Sequence, residues 1–373
     1  MRTNKSANFS PAGSRWRMPA EWEPHEATWI AWPHQRSDWP GKFAAIPWVY
    51  AEIVRHLHTS EMVHLLVNDA PMEARARRVL SLAGVDLNKV RFFRIPTDRV
   101  WTRDYGPMFV VSDQGELGIN NWRFNGWAKY DNWRRDDRVA AKAAERLKIR
   151  RLMPPTRDGT RNTTVVVLEG GSIDVNGQGI LLTTEECLLS DVQARNPGMA
   201  REEYEAVFAR ALGVRKTLWL GNGIAGDDTH GHVDDIARFV GPRTVVAAVE
   251  RNSADANYRP LQENLERLRG ISDADGQKLD VIELPMPSPS FFRGQRLPAS
   301  YANFYIANEK VLVPTFNDPK DRVALGILAE LFPQRQVIGI HAVDLVWGLG
   351  TLHCLTQQQP AVRQRGDISF IYV

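Results

Sequence analysis

The chain has 373 residues, 43% of them hydrophobic and 24% charged, which is the make-up of a soluble globular protein of one or two domains. Its 47 basic residues are offset by 44 acidic ones with no long basic block, which argues against nucleic acid as a partner, and no apolar run is long enough to span a bilayer. Its two cysteines, Cys187 and Cys354, are too few for a disulfide framework or a Cys-rich zinc site.

Residues 1–17 are polar and lack the apolar stretch of a secretory signal, so a cytoplasmic protein is expected, with a short disordered tail ahead of a single domain over 18–373. Ala27–Trp32 reads as a strand ended by Pro33, followed by a helix near 43–58 and a strand at Val63–Val67. Pro71 opens a second helix that Gly84 stops, and Val90–Ile95 is another strand.

From there four units repeat a pattern of hairpin followed by amphipathic helix. Their hairpins start at 108, 172, 236 and 303, and turn at Asp113–Gly115, Asn176–Gly179, Gly241–Arg243 and Asn308–Lys310. The helices are predicted at Asp137–Lys148, at Arg201–Leu212 with Gly213 as its stop, around Leu261–Leu268, and after an Asp318 N-cap with Pro319 at N1. In the last of these, Val323, Ile327, Leu328 and Leu331 are expected to face inward. Spacings this even argue for an array of equivalent blocks. Each end of the chain holds only part of a unit. A ring resolves both ends if a strand around Leu352–Thr356 pairs with Ala27–Trp32 and closes a fifth unit.

Polar residues of an unusual kind precede each hairpin. They are Trp101–Pro107 before the first, Glu169-Gly170-Gly171 before the second, His232-Val233-Asp234 before the third and Ser300–Asn303 before the fourth. Taken singly, Asp-Tyr-Gly-Pro is an ordinary turn and Glu-Gly-Gly a weak signal. Their shared phase places Asp104, Glu169, His232, Asp234 and Asn303 around one pocket, which Cys354 enters from the fifth unit. The densest stretch, Gly226–Arg238, sets Asp227, Asp228, His230, His232, Asp234 and Asp235 beside an apolar run. A solvated acidic turn is its plainest reading, but in an extended segment 230, 232 and 234 would share one face.

Two carboxylates, a His with a carboxylate neighbour and one Cys suit a planar cation. A guanidinium presents a rigid fork of donors that two carboxylates grip side-on, while its carbon is a poor electrophile that needs a soft nucleophile and a proton donor. Cys354 as thiolate would attack, His232 would protonate the departing amine, and ammonia would leave. His232 would then serve as base toward the water that cleaves the thiouronium. Like charges beside the thiol disfavour its thiolate until the cationic substrate arrives.

These residues also carry a family resemblance. Met18–Glu26, Trp101–Pro107, Phe124–Trp127, Glu169–Gly171, Gly231–Asp234, Ser300–Tyr305 and His353–Pro360, in this order, resemble the agmatine deiminases of the guanidine-modifying superfamily, which includes arginine deiminases and bacterial peptidylarginine deiminase. The resemblance implies a five-fold pseudosymmetric αβ propeller and hydrolysis of agmatine to N-carbamoylputrescine and ammonia, without a metal or other cofactor. It implies Cys354 as nucleophile, His232 as acid–base with Glu169 as its partner, and Asp104 and Asp234 gripping the guanidinium. Asp228 is a further implied substrate contact, and Trp101 and Asn303 line the pocket. The family commonly shows Gly-Gly-Gly-Asn-Ile-His-Cys at the nucleophile; here the run is Gly-Leu-Gly-Thr-Leu-His-Cys, with Leu349 in the loop.

Peptidylarginine or free arginine is the competing substrate within the superfamily. The rival from another class is a metallohydrolase, because His230-Gly-His232-Val-Asp234 has the spacing of a dinuclear metal motif. The expected partner is a small guanidine rather than nucleic acid or membrane, and a homo-oligomer is left open.

Overall fold

The structure is a computed structural model that describes residues 15–153, 155–160, 163–273 and 275–362. Each of the four predicted hairpins forms, as Met108–Ser112 with Leu117–Asn120, Asp174–Val175 with Ile180–Thr184, Ala237–Phe239 with Thr244–Val249, and Tyr305–Ile306 with Lys310–Thr315. The four helices follow at Val139–Leu147, Arg201–Leu212, Tyr258–Gly270 and Asp321–Leu331. Each helix returns the chain to the same sheet, where a third strand runs parallel to the second: Arg150–Leu152, Lys216–Leu220, Asp280–Pro285 and Gln336–His341. A parallel neighbour requires such a crossover, and a helix is its usual form.

A further sheet joins the two ends of the described chain. Thr356–Pro360 lies antiparallel to His25–Ala31, which runs parallel to Met62–Val67 and then Val90–Arg94. The helices Ile46–Leu57 and Ala70–Leu82 make its crossovers. Asp69 caps the latter by accepting from the Met72 amide at 2.7 Å, and Pro71 sits in its first turn. The result is a mixed α/β fold of separate three- and four-stranded sheets, with one further two-stranded ribbon, Phe291–Phe292 with Gln295–Arg296. Apolar side chains of adjoining units share their cores. Val110, Val175, Leu181 and Phe208 pack in one cluster, Leu182, Val245, Leu261 and Leu265 in another, and each such fully buried side chain stabilises by ~2 kcal/mol. No helix among the described residues is long and apolar enough to cross a membrane.

Four expectations are corrected. Leu352–Leu355 is a helical turn rather than strand, and the pairing strand starts at Thr356. Of the expected tail, 1–14 lie outside the described residues, while Trp16–Arg17 pair with Val111–Ser112 as an added edge strand. Asp318 does not cap the fourth helix, which begins three residues later; its carboxylate accepts from the Ser288 and Lys320 amides, and Asp321 takes the Phe316 and Asp318 amides instead. The helix docks with Ala324 and Leu328 in the core and Ile327 and Leu331 packed at its edge, which leaves Val323 in solvent (52% exposed).

The segments that precede the hairpins meet. The helical turn Thr102–Tyr105 touches both Leu352–Leu355 and the turn Gly170–Ser172, which in turn touches the turn Val233–Asp235.

Candidate active site

The nucleophile turn is held by one side chain. Asn303 Oδ1 accepts from the Thr351 hydroxyl at 2.8 Å and the His353 amide at 3.0 Å, while its Nδ2 reaches Asp235 at 2.9 Å and Cys354 Sγ at 3.1 Å. Cys354 Sγ lies 3.8 Å from Asp234 Oδ2. Burial first, then Asp234, Asp235 and Asp104, push the thiol well above its ordinary value. Gly350 makes room for this approach, since a Cβ there would sit 2.7 Å from the Trp101 ring. Leu349 is held at φ +68°, a left-handed conformation costing an L-residue ~1 kcal/mol.

His232 presents one nitrogen to a carboxylate and leaves the other open. Its Nε2 is 3.4 Å from Glu169 Oε2, and Nδ1 has no hydrogen-bond partner, with Asp104 Oδ1 at 3.8 Å. Glu169 is fully buried and pinned by Arg195 Nε at 3.1 and 3.2 Å; burial opposes its charge, but Arg195 and then His232 hold it below the usual carboxylate range. Burial likewise opposes a charged His232, yet Asp104, Cys187 and Glu169 together raise it well above the ordinary histidine value. Cys187, packed in a buried apolar cluster, also stands beside the imidazole. No motif marks it; a helical turn capped by Thr184 carries it there.

Asp104 accepts from the Trp127 indole at 2.9 Å and the Gly171 amide at 3.0 Å. A Cβ on Gly171 would lie 2.5 Å from His232 Nδ1, which explains the second glycine after Glu169. Burial pushes Asp104 up to about 6; His232 pulls it down, and Glu169 and Asp234 push further up. Asp234 keeps one oxygen on His353 Nδ1 at 2.6 Å, and its buried Oδ1 has no partner. Despite burial, His353, His232 and Arg238 hold it below the usual range.

Cys354, Asp104, Trp101 and Asp228 line one cavity of about 330 Å³, with Glu169, His232, Asp234 and Asn303 buried. The resemblance-derived set is therefore brought together. The lining adds Leu349 of the nucleophile loop, and Asp38, Arg99, Tyr130, Phe292 and Trp347, which no sequence motif marks. Arg103 and Arg238 brace carboxylates: both guanidinium groups bond Glu21, at 3.0 and 2.9 Å.

His230 is the exception. Asp227 Oδ2 accepts from the Gly231 and His232 amides, and the chain turns sharply with φ +63° at His230 and +92° at Gly231. The segment is not extended, so His230 points to Ser190 at 3.1 Å and Glu186 at 3.8 Å, away from His232. The proposed metal triad of His230, His232 and Asp234 does not converge. Among the described residues Glu169, Cys187 and His232 do cluster at ligand distances, but Arg195 already occupies both Glu169 oxygens.

The model of the Porphyromonas-type peptidyl-arginine deiminase family matches residues 17–360. An agmatine deiminase of Pseudomonas aeruginosa is 36% identical over 95% of this chain and 98% of its own. The solved agmatine deiminase of Enterococcus faecalis, described as catalysing its reaction, superposes with a TM-score of 0.82 at 32% identity, covering 92% of this chain and 96% of that one. A cysteine-to-serine variant of C. jejuni agmatine deiminase with substrate bound gives 0.83 at 28% identity, over 96% and 100%. With its fold and nearly its whole length accounted for in this way, the chain belongs to the Porphyromonas-type peptidyl-arginine deiminase family and is similar throughout to agmatine deiminases.

Proposed function

We propose that the protein hydrolyses agmatine to N-carbamoylputrescine and ammonia through a covalent amidino-cysteine intermediate. The observation that carries the reading is a pair of buried, unpartnered polar atoms, Asp234 Oδ1 and His232 Nδ1, set around the Cys354 thiol. A guanidinium seated there gives Asp234 Oδ1 a donor and brings a positive charge among Asp104, Asp234 and Asp235. That charge offsets the carboxylates that keep the thiol protonated, and the thiol proton passes to solvent as the substrate is seated. Cys354 Sγ then bonds to the guanidinium carbon. His232, with Nε2 held on Glu169, transfers a proton from Nδ1 to one amino group, which leaves as ammonia. Neutral Nδ1 next takes a proton from water as its oxygen attacks the thiouronium carbon. Collapse of that adduct breaks the C–S bond, releases the carbamoyl product and regenerates the thiol. Asn303 positions the nucleophile turn, and Asp228 and Trp101 belong to the substrate cavity.

We infer that the sheets are five blades of a pseudosymmetric αβ propeller closed by the pairing of Thr356–Pro360 with His25–Ala31. The recurring antiparallel–parallel strand order supports this, as does the meeting of the segments ahead of each hairpin. An enzyme acting on a free small molecule fits the cavity size, which is near the lower end for ligand sites.

The test is ammonia release from agmatine, free arginine and a blocked arginine peptide. An α-carboxylate placed near Asp104, Asp228 and Asp234 costs several kcal/mol, so kcat/KM for agmatine should exceed that for arginine by roughly a thousandfold. Comparable values for the two, or preference for the peptide, would overturn the assignment.

A further inference from the structure

The cavity has a second unsatisfied carboxylate, far from any motif. Asp38, on the short 3-10 turn Arg36–Asp38, lines the same cavity as Cys354, and its side chain is only 4% exposed. One oxygen accepts from Arg99 Nη1 at 2.9 Å, and Oδ2 is buried without a hydrogen-bond partner. Asp228, the acidic residue that the family resemblance points to, is different: Lys129 Nζ holds one of its oxygens at 2.6 Å and the Tyr130 hydroxyl the other at 2.6 Å. Of the two carboxylates on this side of the cavity, only Asp38 has an oxygen with no partner.

We propose that Asp38 accepts the distal ammonium of the substrate and thereby determines specificity for a guanidine carrying a primary amine over one ending in an anion or a methyl group. The assignment rests on the deiminase reading above and adds to it the residue that reads the other end of the molecule. A methylene chain needs apolar walls between two polar ends, and Trp101, Trp127 and Trp347 supply them. Arg99 is committed elsewhere, with Nη1 on Asp38, Nε on Asn132 at 3.2 Å and its plane 3.9 Å above the Tyr130 ring, so it braces Asp38. Burial pushes Asp38 up to about 6, with Asp228 adding to the rise and Arg99 and the nearby Trp101 indole opposing it. An ammonium at Oδ2 restores the anion by supplying the missing donor.

The experiment compares wild type, Asp38→Asn and Asp228→Asn on agmatine and on n-butylguanidine, which keeps the guanidine and four carbons but lacks the amine. Asp38→Asn should lower kcat/KM for agmatine roughly 30-fold or more, through KM, because truncating one partner of a buried charge pair is costly. For n-butylguanidine it should change kcat/KM less than about threefold, a result that also requires the variant to be folded. Equal loss on both substrates would reduce Asp38 to a brace for Arg99, and selective loss only in Asp228→Asn would give the ammonium to Asp228; either overturns the proposal. Absence of turnover in wild type would count against the deiminase reading, and a binding arm still decides Asp38. In that arm, calorimetry of agmatine and n-butylguanidine on Cys354→Ser, with and without Asp38→Asn, should show the second substitution weakening agmatine alone. Unchanged agmatine affinity would overturn the assignment.

Discussion

Two groups of buried carboxylates sit on either side of His353, whose Nε2 is 2.9 Å from Glu21 and whose Nδ1 is 2.6 Å from Asp234. On one side Glu21 is saturated. It accepts from Arg103, Arg238 and the Ile306 amide, and these cations with His353 hold it well below the usual carboxylate range against full burial. On the other side Asp104, Asp234 and Asp235 crowd around Cys354 with no arginine among their hydrogen-bond partners, and Asp104 is pushed up to about 6. Burial is the same in both places. The difference is that two arginines bond Glu21 directly, whereas the cluster around Cys354 has only histidines close by and keeps Asp234 Oδ1 without a partner, which separates a structural carboxylate from a binding one better than depth does.

The largest expected effect breaks the open cluster at its nucleophile. Cys354→Ser should reduce turnover to the background of the assay while the fold persists, because a hydroxyl ionises far less readily than a thiol. Mass spectrometry of a quenched wild-type reaction should find the adduct on Cys354, and an adduct confined to Cys187 would reassign the nucleophile. Next in size is the saturated cluster. Glu21→Gln leaves two buried guanidinium groups short of an anion and should cost about 3 kcal/mol or more in denaturant unfolding. A loss below about 1 kcal/mol would mean that the two arginines find other partners.

The matching substitution in the open cluster should behave in the opposite way. Asp104 is raised to about 6 in the folded state, above an unfolded carboxylate at about 3.9. The folded state thus holds the proton more tightly, and an ionised Asp104 costs stability. That cost is absent below about pH 4, grows as pH rises and is complete above about pH 6, where it is on the order of 2–3 kcal/mol. Asp104→Asn should therefore lose activity at least about a hundredfold yet be relatively more stable against wild type at pH 7.5 than at pH 4.5. A stability difference that does not vary with pH would show that the carboxylate is already neutralised in the fold.

Much of this was legible in the sequence, for physical reasons that also mark where reading stopped. The hairpins announced themselves because their turns need Gly, Asn or Asp, and the helices because residues such as Tyr204, Val207 and Phe208 recur at helical spacing, and these three are buried. The third strand of each unit did not. Arg150–Leu152 has one apolar residue, and Gln336–His341 is buried at a single position, so neither carries a strand pattern strong enough to stand alone. Asp104, Glu169, His232, Asp234 and Asn303 share a phase with the hairpins, and Cys354 was reached only through the fifth unit inferred from it. Asp38, Arg99 and Trp347 come from loops and short turns with no common phase, and Cys187 rides on a helical turn; only tertiary packing brings them to the cavity or the imidazole. Glu21 was visible only as a letter in Pro-Ala-Glu-Trp, since its four partners lie between residues 103 and 353.

The smallest expected effect concerns His230, the residue that the spacing argument placed wrongly. A period-two reading put it on the face of His232 and Asp234, but the Asp227 side chain pulls the Gly231 and His232 amides onto one oxygen and reverses the chain. The His230 ring then rests on Ser190 and near Glu186, partly exposed and outside the cavity. His230→Asn is the suitable probe, because asparagine tolerates the left-handed φ of +63° better than alanine does. It should leave kcat/KM for agmatine within about threefold of wild type, as expected for a surface substitution worth at most ~0.5 kcal/mol. Exhaustive dialysis against chelator should likewise leave turnover unchanged. If instead His230→Asn abolished activity and added zinc or manganese restored a chelated enzyme, the carboxylates around Cys354 would have to be understood as metal ligands. The contrast with Glu21 would then be one between arginine and metal as the missing cation, rather than between arginine and substrate.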